Sequence, residues 1–338
     1  MTTSQPPDRI RAHLAQRGAV ADDVHAVADA AWELLSGGLL DLPLPGGGAT
    51  ITRWWALAEI AAFDLAVAQL AEGHLEAQTL HAEAGRRLPD GLWGSWVDDA
   101  VDDLHAEPDG DGWVIEGTRG WCVGARTVSA AVVSAMTAQG ARLFAMPTRD
   151  EAVRFDPDSG HVAGLALADP LRMSVQGLHL RADAEVGPVA GWYRSRPGYW
   201  ATAAGNAAVW YGGALGVARA VRAAVDRRAD DPFGLANLGL IDAMCAAIEA
   251  VLSRAARVVD ANDTTHTRTV AIQARAAIEL LATRTIREAD QVLTGRAVAG
   301  DPPLARRLAD LTMALRRHGG RHELTELGTD ALLGGRLT

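Results

Sequence analysis

An α+β chain is what this sequence predicts, laid out as helices, a β-rich middle and a helical bundle. Three observations predict it. Between Arg53 and Gly85 apolar residues recur at Leu57, Ile60, Phe63, Val67 and Leu70, the spacing of helix that buries one face. From about Gly91 to Gly187, short apolar runs alternate with Asp, Gly and Pro turns at the intervals of an all-β unit. After Arg196 the helical period returns and lasts to the end. The expected division is residues 1–88, 89–190 and 191–338.

Taken in order, Ala21 to Ser36 reads as a helix and Asp41 to Ala49, DLPLPGGGA, as a Pro/Gly loop. The stripe from Arg53 to Gly85 leaves Asp64, Glu72 and Glu76 at the surface or at helix ends. In the middle, the runs GWVIEG, RTVSAAVVSA, ARLFAMP, VAGLAL and GLHLRADAEVG are strand candidates. The stretch from Gly110 to Ala125, GDGWVIEGTRGWCVGA, carries two apolar runs flanking EGTRG, which has the chemistry of a β-hairpin turn. Its second run opens on Trp121, a large flat side chain. Beyond it, helices are expected over Tyr199 to Arg228, around Leu238 to Val259, over Arg268 to Arg296 and over Leu304 to Arg317, with a short one near Glu323 to Leu333. Asp231-Pro232-Phe233-Gly234, DANDTT and GDPP mark the breaks, and four long helices with short connections form a bundle.

Composition excludes several classes. The chain has 338 residues, 49% of them apolar and 22% charged, which is ordinary for a folded protein. Its net charge is −10 with no basic run, so no nucleic-acid partner is expected. All 32 cationic side chains are arginine, which removes the Walker A lysine and any lysine Schiff base. Cys122 and Cys245 lie far apart with no CxxC spacing, and His74, His81, His161, His179 and His266 show no metal-binding spacing, so no metal is expected. Asp98, Asp99, Asp102 and Asp103 read as a solvated turn. The N-terminus lacks the apolar core of a secretory signal, making a cytoplasmic location the expectation. The uncharged stretch Pro197 to Ala218 is too rich in Ala, Gly, Thr and Asn for a membrane span and reads as a buried bundle helix.

The order of these parts resembles the acyl-CoA dehydrogenase family: an N-terminal helical domain, a middle β-barrel-like domain and a C-terminal four-helix bundle. GDGWVIEGTRGWCVGA is similar to that family's "dG.y.lnG.K.WitnG" segment, and GLALADPLRMSVQGLHLRADAEVG to the stretch closing its β-domain. AEGHLEAQ, RPGYWATAAGNAAVWYGGALGVARA and ADQVLTGRAVAGDPPLARRLADL match further along. The resemblance implies an FAD-dependent oxidoreductase acting on an acyl thioester or related small molecule. It also implies a homodimer or homotetramer formed through the bundle. By the same resemblance Trp121, with Cys122 and Val123, borders the flavin, where an indole supplies a rigid apolar wall that excludes water. Trp93 and Ser95 in GLWGSW stand nearest to the family's upstream flavin-lining segment. Arg228 and Phe233-Gly234 resemble its pyrophosphate-binding Arg-x-x-Phe-Gly at a different spacing, and Gln291 and Gly295 its Gln-x-x-Gly-Gly element, with Arg296 in place of the second glycine.

Departures from the family pattern bear on function. Val123 stands where the family carries a Thr or Ser whose hydroxyl bonds the flavin, which leaves only backbone there. RRADDPFG places two aspartates between Arg228 and Phe233, against an anion. Taking the α-proton of an acyl thioester needs a carboxylate. At or beside the family position for that Glu this chain has His318, followed by Gly319-Gly320, and the family's alternative position aligns near Asn206. Glu323 and Glu326 follow within two turns. Histidine titrates near neutrality and serves as a base in flavin monooxygenases that share the fold. Three readings stand: a dehydrogenase, a monooxygenase using His318, or a non-catalytic relative that has lost flavin.

Overall fold

The computed structural model describes residues 5–97, 103–228, 230–316 and 320–334. Helices come first: α1 (Pro6–Arg17), α2 (Val24–Ser36), α3 (Thr50–Phe63) and α4 (Leu65–Glu83). Eight strands follow: β1 (Trp93–Trp96), β2 (Leu104–Asp109), β3 (Gly112–Cys122), β4 (Ala130–Thr137), β5 (Gly140–Pro147), β6 (Val153–Asp156), β7 (Leu171–Arg181) and β8 (Glu185–Val186). The rest is helical: α5 (Trp192–Ser195), α6 (Tyr199–Asp226), α7 (Pro232–Asp260), α8 (Thr264–Val292), α9 (Gly295–Ala299), α10 (Pro302–Arg316) and α11 (Gly320–Gly334). The chain groups into two compact units, one of residues 18–41 and 66–199, the other of residues 1–17, 42–65 and 200–338.

In the first unit the strands form one mixed sheet in the order β6-β7-β3-β2-β4-β5-β8, with β1 parallel to β4. Among the described residues that path of pairing is open at β6 and β8. Alternation puts Trp93 on the face that carries Val132, Leu143 and Val186, where α4 adds Ala77 and Leu80 to close a core. The expected hairpin turn at EGTRG is not formed. Those residues run through β3, which stays paired with β7 from Gly112 to Cys122, and the turn lies at Gly110 between β2 and β3. Gly117 instead marks a β-bulge: its φ is +117°, and a Cβ there would collide with the carbonyl oxygen of Asp103. Glycine chemistry here serves a close backbone approach rather than a reversal.

The second unit is helical. Helices α6, α7, α8 and α10 supply long apolar stripes; on α7 this is Ile241, Met244, Ile248, Leu252, Ala255 and Val259. The uncharged stretch of α6 is almost wholly buried. It meets α3 closely because Gly212 has no Cβ to strike Ala58 O and Ala61 Cβ. The stripe expected from Arg53 onward is divided between α3 and α4. Asp64 ends α3 and is buried, not at the surface, because Arg306 binds its carboxylate at 2.6 Å. Arg307 donates to the last carbonyls of α3, those of Ala62 and Phe63, satisfying groups that a helix end leaves open. At the other end of α3, Asp260 of α7 accepts Thr50 N at 3.1 Å and Thr50 Oγ1 at 2.6 Å. Glu59 takes Arg11 at 2.6 Å and Arg219 at 3.0 Å, tying α1, α3 and α6. Burial alone would raise that carboxyl, but the two guanidinium bonds outweigh it and hold Glu59 below the usual carboxylate range.

Candidate functional site

The C-terminal end of β3 is the most constrained backbone in the first unit. Its register against β7 shifts a second time between Arg119 and Cys122, and Trp121 within that shift takes φ +55°. A side chain in this left-handed region costs about 1–2 kcal/mol, so the surroundings must impose it. They do so through the loop before β7. Gly124 N donates to Ala168 O at 2.7 Å and Ala125 N to Asp169 O at 3.2 Å. Arg126 N then donates to Asp169 Oδ2 at 2.8 Å, and the Arg126 guanidinium grips the same carboxylate at 2.9 Å through Nε and 2.5 Å through Nη2. Those bonds raise the Arg126 pKa above its ordinary value, though part of the side chain is in water. Asp169 is 2% exposed and itself left-handed, as is Leu165 four residues earlier. Three of the four non-glycine residues with positive φ among those described therefore meet at one pair of loops.

Trp121 and Val123 are half-buried on this turn, while Cys122 is fully buried, its thiol directed at Arg119 O at 3.6 Å. The Val123 carbonyl accepts the indole N–H of Trp96 at 2.8 Å, and Trp96 packs edge-on against Phe155 with ring centres 5.8 Å apart. The Val123 N–H has no acceptor among the described residues. Trp93 lies on the opposite face of β1 from Trp96, buried in the core. Its indole donates to Pro89 O at 3.0 Å and its ring meets that of His81 at 5.2 Å. Ser95 shares that face, and its hydroxyl oxygen is buried with no hydrogen-bond partner among the described residues. The open backbone N–H of Val123 is a polar group of the Trp121 turn that a ligand can engage, whereas the Ser95 hydroxyl lies on the core face of β1.

In the helical unit, Arg228 donates to Val292 O at 3.3 Å, which brings the end of α6 beside the end of α8. Gln291 and Gly295 flank Val292 and are exposed, so three of the expected phosphate-binding residues share one end of the bundle. Phe233 is 79% exposed in the first turn of α7. Asp231 is explained by capping: its carboxylate accepts Phe233 N at 3.0 Å as the N-cap of α7. His318 lies outside the described residues. Glu323 and Glu326 are held in ion pairs, to Arg275 at 2.7 Å and Arg268 at 2.5 Å, and so hold α11 on α8.

Sequence reasoning missed Trp96, Arg126 and Asp169, which shape the Trp121 turn, and missed that His74 and His81 both meet Trp93. The two histidines lie two turns apart on α4, both buried, with Trp93 N donating to His74 Nδ1 at 3.4 Å. Burial holds the His81 imidazole below its ordinary value, and its Nδ1 donates to Ala77 O at 2.9 Å. The seven-residue spacing was the available signal for a shared face.

No family model matches the chain, and no curated protein does. Solved structures do. The dibenzothiophene monooxygenase TdsC from Paenibacillus sp. A11-2 superposes with a TM-score of 0.75 at 17% identity, over 98% of this chain and 96% of that one. Methanesulfinate monooxygenase MsuC from Pseudomonas fluorescens gives 0.80 at 17% identity, over 100% and 98%. KijD3, solved with FMN and a dTDP-linked amino sugar, gives 0.77 at 18% identity, over 98% and 92%. TdsC too has been solved with FMN bound. At such identities the likeness shows the fold alone: this chain has the fold of these enzymes, the one to which its resemblance to acyl-CoA dehydrogenases pointed.

Proposed function

We propose that this protein is a flavin-dependent oxidoreductase, and within that class a monooxygenase of a small organic substrate that uses FMN. The observation that carries the flavin reading is the strained Trp121 turn, which presents a flat indole beside an unengaged Val123 N–H. When bound, the flavin supplies the redox chemistry. The chain's own groups would do the rest. Trp121 excludes water from the ring, and the Val123 N–H donates to a ring acceptor in place of the missing hydroxyl.

Two observations favour monooxygenation over dehydrogenation of an acyl thioester. Glu323 and Glu326 are engaged with arginines, so neither is a free carboxylate base. The sequence supplies His318 near the family's base position, and the similar TdsC and MsuC are monooxygenases. FMN is favoured over FAD by the FMN-bound structures of TdsC and KijD3. The N-cap carboxylate of Asp231 points the same way, because it already occupies the helix N-terminus where a pyrophosphate would gain. Self-association through the exposed face of α7 belongs to the same proposal.

Titration of the purified protein with FMN and FAD tests the reading. FMN should bind with a shifted absorbance band, and Trp121→Ala should weaken it at least about tenfold, the scale of a lost aromatic contact of ~1.5 kcal/mol. With reduced FMN and oxygen the protein should convert a substrate to its oxygenated product. Bleaching of bound flavin by acyl-CoA under anaerobic conditions would instead favour the dehydrogenase, and protein that takes up neither flavin would leave a non-catalytic relative.

A further inference from the structure

We infer that Asp169 is a positioning residue for flavin binding: its buried carboxylate clamps the turn from Gly124 to Arg126 and thereby fixes Trp121 and the Val123 N–H toward the ring. This rests on the flavin reading above. The geometry is a loop gripped by a loop. Within two residues of chain, Ala168 O and Asp169 O take the N–H groups of Gly124 and Ala125, and the Asp169 carboxylate takes the Arg126 N–H and both faces of its guanidinium fork. A carboxylate that is 2% exposed, with this many charge-assisted bonds, holds its partners far more firmly than water could. What it holds is improbable on its own, since Trp121, Leu165 and Asp169 all occupy left-handed backbone. Such conformations persist only where the surroundings over-determine them, and they concentrate where geometry matters for function. Asp169 touches no reacting group; it acts through the turn.

Trp96 completes the clamp by donating to Val123 O at 2.8 Å, so the Val123–Gly124 peptide is held at its carbonyl by Trp96 and at its N–H by Ala168 O, and the open Val123 N–H sits on the peptide immediately before it. With the following peptide fixed at both ends, the Val123 N–H is restricted in direction, and loosening either anchor should cost flavin affinity.

Asp169→Asn is the test. Asparagine is isosteric and tolerates left-handed backbone well, so the variant removes the charge and leaves the local conformation accessible. Hydrogen exchange by mass spectrometry should show protection at Gly124 to Arg126 falling about tenfold, with β4 and β5 unchanged, and the Kd for FMN should rise by about tenfold, reflecting the loss of charge-assisted bonding. Arg126→Gln, at a side chain half in solvent, breaks the same clamp should Asp169→Asn not fold, and should move both readouts the same way. Unchanged FMN affinity in a variant whose turn has lost protection makes Asp169 merely structural and overturns the proposal. Wild-type and variant proteins that bind FMN alike with unchanged protection overturn it while sparing the flavin reading. A wild-type protein that takes up no flavin overturns both.

Discussion

At the scale of single residues, the turn after β3 depends on one tryptophan holding another's neighbourhood. Trp96→Phe keeps the aromatic packing on Phe155 but leaves Val123 O without its 2.8 Å donor. It should lower stability by about 1 kcal/mol and raise the flavin Kd, read by urea denaturation and by titration. His81 gives a pH prediction. Burial holds its folded pKa below the ordinary 6.5, so the folded state keeps the ring neutral while the unfolded chain takes up a proton first. The unfolded state binds more protons between the two values, and stability therefore rises with pH in that window. It should be complete above about 6.5 and decline as the pH falls below it. His81→Phe, which retains an aromatic edge on Trp93, should flatten the slope of the denaturation midpoint over roughly pH 5 to 7. An unchanged slope would assign the pH dependence to another group.

At the scale of elements, helix ends are satisfied from a distance. The N-cap residue of α3, Ala49, has no side-chain acceptor, and Asp260 from the end of α7 supplies one to Thr50 and to Gly48. Asp260→Ala should cost about 1–2 kcal/mol, the value of a lost cap, seen as a lower Tm by circular dichroism. Asp260→Asn should recover much of it, because an amide oxygen still accepts. Local pattern had announced the helix over this segment, since apolar periodicity needs only neighbouring residues. It had not announced the break at Asp64, because what ends α3 is a pair of arginines on α10, Arg306 and Arg307, far along the chain. EGTRG shows the same limit in the other direction. Its two glycines satisfy the rule for a reversal, yet β7 offers a continuous partner and Gly117 is used for a bulge.

At the scale of the whole molecule, α7 shows an unusual face. Its buried stripe is narrow, while Phe233, Leu235 and Leu240 are exposed along with several alanines, and by length and composition alone it is the one helix among those described that could cross a membrane. Asp242, Glu249, Arg254 and Arg257 interrupt that face at intervals, which suits a protein partner better than lipid. A second copy of this chain is the proposed occupant. Light scattering should give a multiple of the chain mass, and Leu240→Glu should shift it toward the single chain while leaving far-ultraviolet dichroism unchanged. A single-chain mass for the wild type would remove the proposal.

Sequence by itself determined the kinds of element and their order, because helical and strand periods are written in residues a few positions apart and turn chemistry punctuates them. It also determined that Trp121 stands out, as the large aromatic that opens the second apolar run of GDGWVIEGTRGWCVGA. The tertiary structure alone decided which groups make that position special. Asp169 reads in the sequence as one aspartate before a proline. Only folding brings it against Arg126, 43 residues away, where a buried carboxylate can hold a turn that the chain would not hold alone.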